Sequence, residues 1–455
     1  MTVREMTLSQ AAVAYGGTLL YPDCRFSQVS TDSRTLAAGE LFVALRGANH
    51  DAHLFLKDAA DKACGLVVQY PDKRLDKPQW VVPDTVLALG QLATLARQQF
   101  DGPLIALTGS SGKTTVKEML TSILACVAPV LATRGNLNNH IGVPKTLLAL
   151  ENEHRYAVLE MGASGPGEIA YLVSLARPTI ALVNNVMPAH VAGFGSLAGV
   201  AAAKGEIYAG LGPNGTAVIN LDEPWAEGWR AQLPCMNVVT FSLEQEHADV
   251  RASDIRLDYR GNAAFVLHVP DQQLPVSLPV PGHHNVANAL AAAACALAAG
   301  APSITIAAGL EATRTVAGRM EFKSGPRGSV IIDDSYNANP GSVKAAIDVL
   351  GALEGRRLLV LGDMAELGPE APDLHREVGE YARDAGIEQL AATGPLCKEV
   401  VAGFGARGQW YPDRSALVRH LRETLDAGTT ALVKGSRSAA MDEVVNQLVD
   451  KGRAA

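Results

Sequence analysis

Thr108-Gly-Ser-Ser-Gly-Lys-Thr-Thr115 sets a lysine and several hydroxyls beside two closely spaced glycines. Such a turn aims backbone N–H groups at one point and favours an anion there. Lys113 is spaced to reach the β- and γ-phosphates of a nucleotide, and the Thr114 hydroxyl stands where a phosphate loop presents a ligand to Mg²⁺. Gly109, Ser110, Ser111, Gly112 and Thr115 complete the cradle. The pattern is shorter than G-x-x-x-x-G-K-[ST], because Leu107 stands where the first glycine belongs. A glycine-rich connection that merely contains a lysine is the alternative. The flanks argue against it: Leu104–Leu107 reads as a buried strand, and Val116, Met119, Leu120, Ile123 and Leu124 recur at helical spacing.

Other polar residues stand after apolar runs. Glu160 ends Ala157-Val-Leu159 and suits a second Mg²⁺ ligand, or else is a solvated strand-end charge. His190 follows Ile180–Val186; it is either functional or a loop histidine bonded to backbone. Lys204, in a helix expected over Leu197–Tyr208, reads as a solvated charge. Asn136, Asn138 and Asn139 crowd a turn suited to a polar substrate or to turn-making alone. Asn285 and Asn288 share a helix face, where their amides can pair with an adenine edge or cap the helix. Near the N-terminus, Thr31, Asp32, Ser33 and Arg34 can hold a nucleotide sugar and its diphosphate. An ordinary Asx turn is the favoured reading of those four residues taken alone.

A chain of 455 residues exceeds one domain, and 48% hydrophobic against 19% charged residues is globular. Three units are expected: a small α/β unit over 1–84, a βαβ series with a mainly parallel sheet over 85–313, and a second βαβ series over 314–455. Residues 236–280 alternate as antiparallel ribbons do. The net charge of −8 argues against a nucleic-acid partner. The six cysteines lie far apart with no C-x-x-C, so buried reduced thiols are expected. No signal peptide is evident in Met1–Gly17, and Ala287–Ala301 is too short and weakly apolar to span a bilayer, so a soluble cytoplasmic protein is expected without membrane insertion.

Taken in order, T-G-x-x-G-K-T-T, L-E-M-G-A, P-A-H with the Lys204 helix, H-N-V-x-N-A, G-R-M-E, D-D-S-Y-N-A-N-P and K-G-S-R make the chain resemble the Mur ligases, ATP-dependent amide-bond ligases of peptidoglycan precursor synthesis. T-D-S-R (Thr31–Arg34), G-N-x-N-N-x-I-G-x-P (Gly135–Pro144) and G-D-M-x-E-L-G (Gly362–Gly368) point within that family to joining D-alanyl-D-alanine to UDP-N-acetylmuramoyl-tripeptide. The D-N-P-R signature of the diaminopimelate-adding branch is missing, and the full N-terminal unit argues against a folylpolyglutamate synthetase. A nucleotide-dependent switch leaves the second and third sets of polar loops unexplained.

The resemblance implies an N-terminal domain for the UDP moiety, a central ATP-binding domain and a Rossmann-like C-terminal domain for the amino substrate, in a monomer. It implies two Mg²⁺ sites, one held by Thr114 and Glu160 and the other by His190 and Lys204, with Lys204 carbamylated. It places Asn285 and Asn288 at adenine, Arg319 and Asp334 at the phosphates and ribose, and Tyr336, Asn337, Lys434, Ser436 and Arg437 near the amino substrate. Lys113, His190, Lys204, Arg319 and Lys434 are the implied catalytic group. One departure leaves a role open: Asp442 stands where the family usually has Glu.

Overall fold

The computed structural model describes residues 5–47, 50–188 and 191–449. It is mixed α/β, built on four sheets, three of which carry the architecture. The N-terminal sheet has five strands in the order Thr18–Leu20, Gln79–Val81, Gly65–Val68, Leu41–Val43 and Val29–Ser30; all pairings are parallel but the first. A two-stranded ribbon, Met6–Thr7 with Arg25–Phe26, adjoins it.

The central sheet has nine strands. From one edge they run Gln272–Pro281, Asn262–Val269, Val250–Leu257, Asn237–Ser242, Thr216–Asn220, Ile180–Val183, Leu104–Thr108, Tyr156–Glu160 and Val130–Ala132. Leu104–Thr108 is buried along its whole length. Helices cover both its faces, which is why it reads as an unbroken apolar run. The expectation of antiparallel ribbons over 236–280 holds only in part. Asn237–Ser242 pairs in parallel with Thr216–Asn220 and with the start of Val250–Leu257, and antiparallel pairing begins beyond it. Alternating polarity marks a half-exposed strand whatever its partner's direction.

The last sheet has six strands, Glu321–Ser324, Val330–Asp334, Thr429–Lys434, Arg356–Gly362, Gln389–Thr393 and Gly408–Tyr411, parallel except at the first pair. Apolar clusters pack on both of its faces. Between the first two large sheets the core is continuous: Leu41, Val67 and Trp80 pack in one cluster with Leu89, Leu92, Leu104 and Leu159. The helix Thr85–Gln98 carries this junction. Asp84 caps it by accepting from the Val86 and Leu87 amides, a bond worth about 1 kcal/mol, and the Thr85 hydroxyl donates to Ala44 O.

All six thiols are free; Cys235, Cys295 and Cys397 are buried as expected, whereas Cys24 and Cys64 are half-buried and Cys126 is exposed. No helix of the described residues is long and apolar enough to cross a membrane.

Candidate functional site

The phosphate loop joins Leu104–Thr108 to the helix Lys113–Ala125. Gly112 makes the turn at φ 75°, and a Cβ there would stand 2.3 Å from Asn288 Oδ1 and 2.7 Å from Asn184 Nδ2. Two asparagines that the sequence reading left unassigned brace the loop. Asn185 Oδ1 accepts from Ser111 N at 2.8 Å, Asn185 O accepts from Ser110 N at 3.0 Å, and Asn184 Nδ2 donates to Ser111 O at 3.0 Å. Ser110 Oγ donates to Met187 O. The amides of Ser110 and Ser111 are thus already engaged. The helix opens instead with the amides of Gly112, Lys113, Thr114 and Thr115, which have no intrahelical acceptor and face outward as any helix start does.

Two ammonium groups converge on one oxygen. Lys113 Nζ donates to Gly109 O at 2.7 Å and Lys204 Nζ to the same atom at 3.0 Å. Lys204 is 3% exposed, at the end of the helix Leu197–Gly205, so the expectation of a solvated charge is wrong. Burial, with the Lys113 charge beside it, pushes the Lys204 ammonium well below the lysine range. Lys113 is lowered too, by burial first and against the pull of Glu160. Arg319 adds a third cation: its Nη2 lies 3.3 Å from Thr114 Oγ1, its guanidinium stacks 4.2 Å from the Tyr336 ring centroid, and its buried Nε has no hydrogen-bond partner. None of the three is in an ion pair among the described residues, and with Glu160 the one carboxylate whose charge acts on Lys113, the excess positive charge favours an anion there.

Glu160 is buried, not a solvated charge. Thr114 Oγ1 donates to its Oε2 at 3.0 Å and Asn138 Nδ2 to its Oε1 at 2.8 Å. A carboxylate beside a hydroxyl is the hard oxygen donor set that Mg²⁺ takes. His190 lies outside the described residues.

A cavity of about 300 Å³ extends from Ser111, Gly112 and Thr115 toward Asn285, Asn288, Arg314, Arg319 and Asp334. Neither asparagine caps its helix, which starts at His284 without a side-chain cap. Asn285 Nδ2 donates to Pro281 O, Asn288 Nδ2 to Asn285 Oδ1, and Asn184 Nδ2 to Asn288 Oδ1. The asparagines form a relay tied to the phosphate loop. Glu223, also unassigned from sequence, lines this cavity; its Oε1 accepts from Val186 N, its Oε2 is buried without a partner, and burial raises its carboxyl to about 7. Only its place after the apolar strand Thr216–Asn220 hinted at it.

The opposite wall comes from the last sheet. Asp334 Oδ2 accepts from Lys434 Nζ at 2.5 Å, and Lys434 also donates to Asn337 O. A second cavity, of about 440 Å³, puts Ser110 and Lys113 in one lining with Asn337, Glu366, Ser436 and Arg437. Ser436 Oγ is tied to Asp363 O at 2.6 Å, and Arg437 lies 5.9 Å from the Tyr336 ring centroid, on which Arg319 also stacks. Asp442 stands 3.4 Å from Arg437 as its ionic partner.

The remaining candidates sit apart from the loop. Asp32 and Arg34 pair bidentately at 2.9 and 2.6 Å, which holds the Asp32 carboxyl down at about 2. The Arg34 amide also donates to Asp32 Oδ1, so the turn is the Asx turn that its bare sequence favoured. Thr31 and Ser33 flank it half-buried. Asn139 accepts from the Ile141 and Gly142 amides and so starts a helix, while Asn136 is exposed.

The site's parts define a nucleotide-dependent ligase assembled from more than one sheet, and the comparisons agree. Residues 107–296 match the Mur ligase middle domain and residues 318–437 the Mur ligase, glutamate ligase domain. The chain belongs to the Mur ligase family. It is 45% identical to the UDP-N-acetylmuramoyl-tripeptide–D-alanyl-D-alanine ligase of Escherichia coli (strain K12), over 98% of this chain and 99% of that one. It is 33% identical to the ligase of that name from Bacillus subtilis (strain 168), over 98% of each. The fold superposes on crystal structure I of MurF from Acinetobacter baumannii with a TM-score of 0.91, at 36% identity over 98% of this chain and 99% of that one. On MurF from Thermotoga maritima in complex with ADP the TM-score is 0.82, at 27% identity over 92% and 96%.

Proposed function

We infer that this protein joins D-alanyl-D-alanine to UDP-N-acetylmuramoyl-tripeptide, converting ATP to ADP and phosphate. The observation that carries the reading is the convergence of Lys113, Lys204 and Arg319 on the loop that holds Thr114, none of them in an ion pair among the described residues. A carboxylate is a poor acylating agent because oxide is a poor leaving group. Transfer of the γ-phosphoryl group to the tripeptide carboxylate gives an acyl phosphate, from which the dipeptide amine displaces phosphate. Lys113 and Arg319 stabilise the charge on the moving phosphoryl group. The Asn285–Asn288–Asn184 relay fixes the loop toward the base end of the cavity, and Asp334 lies where the ribose is closed over. Lys434, Ser436, Arg437, Tyr336 and Asn337 line the way to the amine.

Thr114 and Glu160 would hold one Mg²⁺, and His190 with a carbamylated Lys204 a second; bound Mg²⁺ supplies neutralisation of phosphate charge. The buried Lys204 is displaced toward the free amine, the form that adds CO₂, and a carbamate turns a cation into an oxygen ligand. Residues 1–84 hold the UDP moiety through Thr31–Arg34, with Asn136, Asn138 and Asn139 on the tripeptide side; residues 85–313 hold ATP and 314–455 the amino substrate. The protein acts as a cytoplasmic monomer.

The test is phosphate release from ATP with UDP-N-acetylmuramoyl-tripeptide, with and without D-alanyl-D-alanine. Release that requires both, with a pentapeptide product by mass, is the expected result. Release with neither would overturn the reading.

A further inference from the structure

The loop that follows the strand Arg356–Gly362 presents Ala365 and Glu366 to the second cavity, across from Ser110 and Lys113. Its shape is imposed from outside. Glu366 sits at φ 64°, a left-handed conformation that side chains avoid. Met364 and Leu367 are buried on either side of it. At one end, Asp363 O accepts from Ser436 N at 3.0 Å and from Ser436 Oγ at 2.6 Å. At the next residue, Met364 N donates to His375 Nε2 at 3.0 Å. The other ring nitrogen, Nδ1, lies 2.6 Å from Ala371 O. A carbonyl only accepts, so Nδ1 carries the proton and Nε2 the lone pair. His375 is fully buried on the helix Ala371–Asp384 and lines neither cavity.

We propose that His375 is a positioning residue for the dipeptide: its neutral ring, protonated at Nδ1, holds the 362–368 loop in the conformation that turns Ala365 and Glu366 toward the amine substrate. The proposal rests on the reading of that cavity given above. A proton on Nε2 would set donor against donor at Met364 and release the loop. The charged groups that face the ring are Asp363, in the loop, and Glu399, on the helix Cys397–Phe404. Burial outweighs both, together with the Ala371 carbonyl, and holds the ring below the ordinary histidine range.

The experiment is steady-state kinetics on the full chain, each substrate varied in turn, with hydrogen–deuterium exchange of segment 362–368. It compares the natural protein with His375→Leu, which removes the acceptor, and His375→Gln, whose amide oxygen can replace it. In His375→Leu the KM for D-alanyl-D-alanine rises about tenfold, because a buried donor has lost its acceptor. The KM for ATP stays unchanged, and exchange of 362–368 quickens. His375→Gln recovers most of both effects. In the natural protein the KM for the dipeptide climbs more steeply with falling pH than in His375→Gln, where only the dipeptide's own amine titrates. An unchanged dipeptide KM in His375→Leu, or an equal rise in every KM, overturns the proposal. Should the leucine variant not fold, a dipeptide KM whose pH dependence is the same in the natural protein and in His375→Gln overturns it. A natural protein that never turns over the dipeptide would refute the functional reading instead. Protection of 362–368 that falls at lower pH in the natural protein and not in His375→Gln, after correction for the pH dependence of intrinsic amide exchange, would still uphold the role of His375 in holding the loop, and its absence would reject it.

Discussion

The central sheet puts a half-buried lysine in its strand-end loop and the last sheet ends a strand on a buried one, and they treat the charge in opposite ways. Lys113 and Lys204 share one carbonyl oxygen and, among the described residues, have no carboxylate bonded to either, while Lys434 is locked 2.5 Å from Asp334. A buried cation lacking a counter-charge is destabilising until a ligand brings one; a buried pair is a structural joint that is costly to break from either side. The first arrangement stores affinity for an anion. The second fixes where the wall of the nucleotide cavity stands.

The contrast can be broken most sharply at Lys113. Lys113→Ala should lower kcat on the order of 10²–10³-fold, as expected when a donor to transferring charge is lost, yet leave Tm unchanged or raised, because the free protein sheds an unpaired charge. Calorimetry alongside phosphate release checks both halves, and a large fall in Tm would mean that Lys113 is structural. Lys434→Ala should do the reverse in stability: Asp334 is left buried and alone, at a cost of about 3–5 kcal/mol. The double change Lys434→Met with Asp334→Asn should recover most of that loss in denaturant unfolding. Turnover stays impaired in both; an unimpaired Lys434→Ala would remove Lys434 from the catalytic group.

Glu223 sharpens the comparison from the acidic side. Its folded carboxyl, raised to about 7 by burial, lies above its ordinary value of 4.5. A raised acid contributes stability that is fully present below the unfolded value and is lost as pH rises through the folded one. Glu223→Gln should therefore flatten the fall in Tm between about pH 4.5 and pH 7; an identical pH profile would count against the buried, unpartnered Oε2. The smallest effect is expected at Asp32, whose pair with Arg34 is exposed. Asp32→Asn should leave Tm where it is and change only the KM for the UDP substrate, with no change in either placing the turn outside the site.

What the sequence made legible was local. Gly109 to Thr115 could be read because strand, turn and helix follow one another within a few residues, and the strand, helix and loop stand as expected. Lys204 could not: its burial depends on a carbonyl 95 positions away in the chain. Asn184, Asn185 and Glu223 escaped assignment for a like reason, since each acts on the site by contacts with distant backbone. Alternating polarity located the strands of 236–280 but carried no sign for their direction, which partners set. His375 offers only one histidine on an apolar helical face, and nothing local distinguishes a core residue from one that holds a loop.

The contact of Arg319 with Thr114 joins residues 205 positions apart at the seam where the two sheets meet over the nucleotide. Inhibition there needs no mimicry. A small rigid molecule that lodged in the seam and kept the two side chains apart would leave the tripeptide and the dipeptide free to bind their own parts, and would still silence the enzyme. Raising those two substrates would not relieve such a block; only ATP, whose phosphates need the same two side chains, would contend with it.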